Sequence, residues 1–221
     1  MSETQPSVDI YQFRLSIKDI SPAIWRRVLV RSDSTLADLH YIIQILMSWS
    51  NFYLHQFTIY GKRYAVQRLF CGDAHDAEAV RLCDLRLRVG GRFLYEYSFF
   101  EWWQHEIRLE KKLILGERKT YPVCIAGKRA APPEDCGGAE GFMRRQEHFS
   151  QFHMASRLLD IFEQFESGEW PDEDESEYYL AELKQFHYWL NVENLDRKAL
   201  NQRLKWYTLE DERWAEGLEV L

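Results

Sequence analysis

Apolar and polar residues alternate from Ile10 onward: Tyr11, Phe13, Leu15 and Ile17 fall on one side, Gln12, Arg14, Ser16 and Lys18 on the other. A period of two marks a strand buried on one face. Ser21 and Pro22 supply a turn and residues 23–30 return as a second strand, so the chain opens with a β-hairpin. The period then changes. Leu36, Leu39, Ile42, Ile43, Leu46 and Met47 recur at helical spacing, with Thr35 placed as N-cap and Asp38 at the third helical position. His40 lies on this apolar stripe, where a buried histidine with one hydrogen-bond partner is the ordinary reading.

Strands resume at 54–60 and 63–66, followed by a loop rich in Asp, Ala and His at 71–80. Gly90 and Gly91 introduce a strand over 92–99 in which Phe93, Tyr95, Tyr97 and Phe99 share a face. After a turn at 100–102, Trp103, His105, Ile107 and Leu109 share a face, and Gln104, Glu106, Arg108 and Glu110 oppose them. This is a long antiparallel hairpin whose aromatic side is expected to pack on the Thr35 helix. A short strand (Tyr121, Val123, Ile125) leads into residues 127–138, where the backbone is tightly specified. Gly127 is expected to supply a positive φ, Pro132 and Pro133 to hold the chain extended, and Gly137 and Gly138 to turn it into a helix near Ala139. Residues 141–149, 154–165, 177–188 and 197–205 read as helices, the last capped by Asp196, with 167–176 as an acidic linker. The fold class is α+β: an antiparallel sheet with a packed N-terminal helix and a C-terminal helical segment. One domain is expected over 8–207, with a body at 8–150, a helical segment at 151–207, and tails at 1–7 and 208–221.

With 46% hydrophobic and 15% aromatic residues, the chain is not of the disordered class. No run approaches the ~18 apolar residues of a membrane span, and the first nine residues lack a basic-then-apolar signal pattern, so a cytoplasmic protein is expected. Cys71, Cys83, Cys124 and Cys136 form no C-x-x-C pair, which argues against a zinc ribbon and leaves four reduced thiols as the expectation. Charge divides the chain. Residues 1–131 carry 19 Lys and Arg against 14 Asp and Glu, and residues 132–221 carry 9 against 21. Ten acidic residues and no basic ones lie between Arg157 and Lys184. Such a segment repels phosphate, so sequence-specific binding of duplex DNA is not expected.

Four pieces carry a resemblance: Pro22-x-Ile24-Trp25-Arg26-Arg27; Leu36-x-x-Leu39-His40 with Met47-x-Trp49 and Leu54-His55-x-Phe57; Tyr95-x-Tyr97 with Trp103-x-His105; and Cys124-x-x-Gly127-x-Arg129-Ala130-x-Pro132-Pro133-Glu134-Asp135-Cys136-Gly137-Gly138-x-x-Gly141. In this order they resemble the plasmid pRiA4b ORF-3-like family. The resemblance implies a compact α+β protein, often plasmid- or transposon-borne, and brings no established reaction or cofactor. The family pattern at the hairpin tip, Tyr-x-Tyr-Asp-Phe-Gly-Asp-x-Trp-x-His, is altered here: Ser98 replaces the first Asp, Phe100 the Gly and Glu101 the second Asp. A Gly at such a turn often supplies a positive φ, which Phe tolerates badly, so a reshaped tip is expected.

The candidate pocket comprises His40, His55, Tyr95, Tyr97, Glu101, Trp103, His105, Arg129, Glu134, Asp135 and Cys136. Imidazoles and carboxylates in one cluster can bind a divalent cation or share acid–base work, and the same residues can equally be scaffold. Glu134 and Asp135 could accept backbone N–H groups or pair with Arg26, Arg129 or His105; pairing with His105 would raise its pKa. The hairpin tip and residues 132–138 are expected to face one another across a cleft. Cys136 beside two carboxylates is a poor nucleophile, and no H-E-x-x-H, Gly-x-Ser-x-Gly, P-loop or Gly-x-Gly-x-x-Gly occurs. A non-catalytic binding or accessory protein for a protein or small-ligand partner is therefore favoured. The alternative is a metal-dependent hydrolase of nucleic acid or another phosphoester.

Overall fold

The computed structural model describes residues 8–66, 74–116, 120–168 and 171–215; Cys71 and the start of the 71–80 loop lie outside the described residues. Strands β1 (Asp9–Ile17) and β2 (Trp25–Arg31) form the opening hairpin, with Phe13 opposite Val28. Helix α1 (Leu36–Met47) starts at a reciprocal cap: the Asp38 N–H donates to Thr35 Oγ1 at 3.0 Å and the Thr35 N–H to Asp38 Oδ2 at 2.8 Å. It buries both its apolar stripe and two polar residues, His40 and Gln44. Strands β3 (His55–Ile59), β4 (Lys62–Ala65), β5 (His75–Asp76), β6 (Arg92–Tyr97), β7 (Trp103–Ile114) and β8 (Val123–Lys128) complete one eight-stranded sheet. Its order is β5-β4-β3-β6-β7-β1-β2-β8, antiparallel throughout except for the β4–β5 pair.

The core lies between the inner face of this sheet and the helices. Phe13, Leu15, Phe57, Tyr95, Tyr97, Trp103, His105, Ile107 and Leu109 all point inward and are buried, as their alternation requires. Helices α2 (Gly138–His148), α3 (Gln151–Glu166), α4 (Glu173–Leu190) and α5 (Arg197–Thr208) follow, with a short 3-10 turn at Glu212–Trp214. From them Phe142, Met154, Phe186, Trp189, Leu200 and Leu204 join the core. The sheet's β8 edge is covered by α5. The Asn201 amide accepts from the Cys124 N–H at 2.7 Å and donates to its carbonyl at 3.0 Å, and Arg197 Nη1 donates to the Ile125 carbonyl at 2.5 Å.

Two local expectations are corrected. The acidic stretch at 167–176 is not a linker throughout: Asp172 caps α4, and Glu173, Asp174 and Glu175 form its first turn. Carboxylates there meet the positive end of the helix dipole, so what reads as solvating charge is a helix start. Gly127 does not supply a positive φ. It lies inside β8 because a side chain there would strike its neighbours, a Cβ falling 2.5 Å from Leu195 Cδ2 and 2.9 Å from the Trp25 carbonyl. The left-handed residue is Arg129, at φ 67°.

The Gly137–Gly138 turn behaves as expected, with φ of 89° and 65°. The first turn of α2 is then pressed against the preceding loop: a Cβ on Gly141 would sit 2.1 Å from the Cys136 carbonyl oxygen. Backbone atoms on both sides leave no flexible group to yield. Gly141→Ala is expected to cost about 2–3 kcal/mol, a fall in Tm of roughly 4–12 °C. A thermal unfolding curve checks this, and an unchanged Tm would show that the loop yields freely.

Candidate functional site

The tip of the β6–β7 hairpin and the 132–138 loop meet in direct contact. The Trp103 indole N–H donates to the Glu134 carbonyl at 2.8 Å, and the Trp49 indole N–H to the Pro132 carbonyl at 2.9 Å. The Gly138 N–H donates to the Glu101 carboxylate. The Glu134 side chain turns inward and is buried, accepting from the Ser50 N–H at 2.7 Å and from the Tyr97 hydroxyl. Asp135 stays exposed and accepts from the Tyr53 hydroxyl at 2.8 Å. The tip, the loop and the segment after α1 are thus fastened at one point. Instead of an open cleft there is a filled joint.

This joint assembles Tyr97, Glu101, Trp103, Glu134, Asp135 and Cys136 from the expected set. It also recruits Trp49, Ser50 and Tyr53, which sequence reasoning missed. Replacement of the pattern's Gly by Phe100 does not strain the tip. The left-handed residues are Ser98 (φ 52°) and Trp102 (φ 54°), while Phe100 points out and is 92% exposed. Glu101 serves through its carboxylate, by holding the Gly138 N–H.

Beneath the joint lies a layer of neutral rings. His40 stacks on His55, with ring centroids 3.5 Å apart and planes within 8°. Gln44 Nε2 donates to the Tyr95 hydroxyl at 2.8 Å, Tyr95 lies 2.7 Å from His40 Nδ1, and His40 Nε2 lies 2.6 Å from Asn51 Oδ1. One tautomer satisfies this chain: Nδ1 accepts and Nε2–H donates. His105 sits deeper, edge-on to Trp49 and Tyr95, and neither of its ring nitrogens has a partner. The Gln44 breaking an apolar helix stripe was the sequence signal for this layer.

The expected pairing of His105 with Glu134 or Asp135 is overturned. Both carboxylates have other donors, and burial, with the Arg26 charge adding to it, pushes the His105 pKa down to about 3. Burial likewise lowers His55 to about 4, and burial with the neighbouring His55 lowers His40 well below its ordinary value. Neither arginine reaches the joint's carboxylates. Arg26 donates to the carbonyls of Leu46, Trp25 and Lys128 at 3.2, 3.0 and 3.0 Å, and burial lowers its pKa to about 10. Arg129, also fully buried, donates to the Pro22 carbonyl at 2.5 Å and to Gln146 at 2.7 Å. Its Nε lies 2.8 Å from Glu193 Oε1, a charge contact without hydrogen-bond alignment. Arg129 therefore stands apart from the other candidates.

Chemically the cluster is quiet. Burial pushes the Cys136 thiol up to about 12, far from the thiolate that nucleophilic attack requires. Among the described residues no three His, Cys, Asp or Glu side chains converge to hold a metal ion. Several grooves open around the loop, and one of them is walled by the loop itself. A groove of about 500 Å³ runs between Pro133, Asp135 and Arg145 and the α4 residues Leu180, Lys184 and Trp189.

The buried imidazoles carry a measurable consequence. In the unfolded chain each titrates near 6.5, while in the fold all three are neutral until far lower pH. Protons therefore bind preferentially to the unfolded state. The stability held above pH 6.5 is lost as pH falls below it, each histidine's share continuing to drain down to its folded pKa. In the limit this slope is about 1.4 kcal/mol per pH unit per histidine, or about 4 for the three. Urea unfolding between pH 7 and 5 is expected to show it, and His105→Phe to remove about a third. An unaltered slope in that variant would place the protons elsewhere.

An uncharacterised protein, y4hQ of Sinorhizobium fredii (strain NBRC 101917 / NGR234), is 28% identical over 135 residues, 60% of this chain and 69% of that protein. A crystal structure of a protein of unknown function, MM3350 from Methanosarcina mazei Go1, superposes with a TM-score of 0.61 at 35% identity, covering 69% of this chain and 89% of that one. The model of the plasmid pRiA4b ORF-3-like protein family matches residues 9–167, which takes in the whole sheet, the joint and the histidine layer. The chain belongs to the plasmid pRiA4b ORF-3-like protein family.

Proposed function

We propose that this protein is a cytoplasmic, non-catalytic binding or accessory protein of mobile-element origin, whose partner is a protein segment or small ligand. One observation carries the reading: the polar groups that the family pattern assembles at the joint are spent on one another. Glu134, Trp103, Tyr97 and Glu101 hold the backbone of the 132–138 loop and its neighbours, and the histidines are buried and neutral. A hydrolase needs a base or metal ligand facing substrate. Here the joint instead stiffens a wall, formed by Pro133 and Asp135, of the adjacent groove. That groove combines an apolar floor (Leu180, Ala181, Trp189) with charges of both signs (Asp135, Arg145, Lys184). Few polar groups placed over an apolar floor suit the binding of a short amphipathic segment or a small molecule. The family's description supports the plasmid connection.

Metal analysis of protein purified without a histidine tag tests the reading against the hydrolase alternative. Substoichiometric metal is expected, with no cleavage of bis(p-nitrophenyl) phosphate, DNA or RNA above background in magnesium, manganese or zinc. One equivalent of metal, with turnover abolished by His55→Ala, would establish the hydrolase instead. Fluorescence anisotropy with duplex DNA near physiological salt is expected to show no sequence-selective complex below about 1 µM, since specific duplex binders reach ~10⁻⁸–10⁻¹¹ M. A selective complex at such affinity would reverse that expectation.

A further inference from the structure

Arg26 stands where a strand ordinarily buries an apolar side chain. On β2 it shares a face with Val28 and Val30, and it is 1% exposed. Room for it comes from the neighbouring strand: Gly127 is its partner in β8, and a Cβ there would fall 3.1 Å from Arg26 Cδ. The guanidinium is only partly spent. Nε donates to the Leu46 carbonyl and Nη1 to those of Trp25 and Lys128, while Nη2 has no acceptor among the described residues. Its charge is equally unmet. The acidic groups that act on it are the Cys124 thiol and the Tyr188 phenol, and burial pushes both up, so both are neutral near neutral pH. Arg26 itself, lowered by burial to about 10, is still a cation there. A buried cation facing no anion is costly to keep.

This residue lines a groove of about 600 Å³ between the end of α1, residues 130 and 131, and the chain from the end of α4 into α5. The ionisable lining is Arg26, Arg203, His187 and Asp196. Arg203 is half-buried, and burial lowers its pKa as well. Asp196, the one carboxylate of the lining, is the cap of α5 and accepts from the Ala199 N–H at 2.9 Å. Glu193, in the same turn, does not line the groove and lies against Arg129 and Lys128. We propose that this groove binds a small organic monocarboxylate, whose carboxylate accepts from Arg26 Nη2 with Arg203 as the second cation, and whose apolar body lies on Leu46, Leu195 and Leu200. Charge-assisted hydrogen bonds of this kind are the strong ones. Two arginines against one aspartate favour a single negative charge, and His187 adds to the positive side only when protonated. A phosphate dianion or a polycarboxylate would bring its further charge against Asp196. The volume is ordinary for a small-ligand site, and so is an apolar wall with few polar groups. The inference is independent of the proposed function, whose groove shares no lining residue with this one.

Calorimetric titration of the full chain with sodium benzoate and sodium hexanoate tests it, with benzamide and inorganic phosphate as controls. Expected is a Kd below about 1 mM for at least one of the carboxylates, a modest demand on ligands of this size. Benzamide and phosphate are expected to bind at least about tenfold more weakly, since one lacks the charge and the other exceeds it. Ala199→Glu adds a second carboxylate to the groove at an exposed first-turn position of α5, where glutamate suits the helix start. Its Tm is expected to stay near wild type while carboxylate affinity falls at least about tenfold. Arg203→Gln is expected to weaken binding several-fold. Arg26→Lys, which keeps the charge and loses the fork, is expected to weaken it at least about tenfold; should that variant fold poorly, Ala199→Glu decides alone. Failure of both carboxylates to bind below about 10 mM overturns the inference. So does benzamide or phosphate binding as tightly as they do, or carboxylate binding indifferent to Ala199→Glu and Arg203→Gln. Loss of that binding in Lys184→Ala, with Ala199→Glu unaffected, would move the ligand to the groove beside Pro133 and overturn it equally.

Discussion

The inward turn of Glu134 is the constraint on which the rest of the site depends. A carboxylate placed below the surface is tolerable only with donors in place, because an unpaired buried charge costs several kcal/mol. Its two donors come from the Ser50 backbone and the Tyr97 ring, 84 and 37 residues away in sequence. Meeting that demand draws the end of α1, the last residue of β6 and the proline loop to one spot. Trp49, Trp103 and the Gly138 N–H then close around it. The two prolines and two glycines of the loop make sense in this light: the backbone is brought almost to its final course before the contacts form, so less chain entropy is lost in making them.

The histidine layer answers a different problem. Three imidazoles beneath a helix would be untenable as cations, and the protein keeps them neutral by withholding acidic partners. His40 is satisfied by a hydroxyl and an amide, while His55 stacks on its neighbour's face with its Nε2 buried and without a hydrogen-bond partner among the described residues. The same logic explains why Arg26, a cation near His105, is held by backbone carbonyls, those of Trp25 and Lys128 on the strands and that of Leu46 at the end of α1, where the helix dipole is negative. Polar residues here specify the alignment of α1 on the sheet, and their chemistry is deliberately inert.

How much of this was legible in the chain follows from the range of each interaction. Alternation placed β1, β6 and β7 and turned Tyr95, Trp103 and His105 inward, and the Ser21–Pro22 turn placed β2, since a strand's period and a turn are local properties. The Thr35–Asp38 cap was equally local and is present. What could not be read was who stands opposite. That Glu134 meets Tyr97, and that His105 lies against the rings of Trp49 and Tyr95, is decided by packing between segments far apart in sequence. The misplacement of the positive φ has the same origin. Gly127 owes its lack of a side chain to Leu195, nearly seventy residues later, so a turn was inferred where close packing was the cause.

The cover that α5 gives to β8 limits how these molecules can meet one another. An end strand normally offers a ladder of free N–H and C=O groups to any other extended chain. Here Asn201 plays the part of a ninth strand for one residue, engaging both backbone groups of Cys124, and Arg197 takes the next carbonyl along. At the opposite end β5 is only two residues long. The sheet is thereby closed to growth by strand addition at one end and offers a minimal template at the other. A sheet this wide and this aromatic would otherwise be a hazard at the concentrations reached during synthesis. A single amide on the last long helix removes much of that hazard, and it can do so only after the C-terminal part of the chain has emerged and docked.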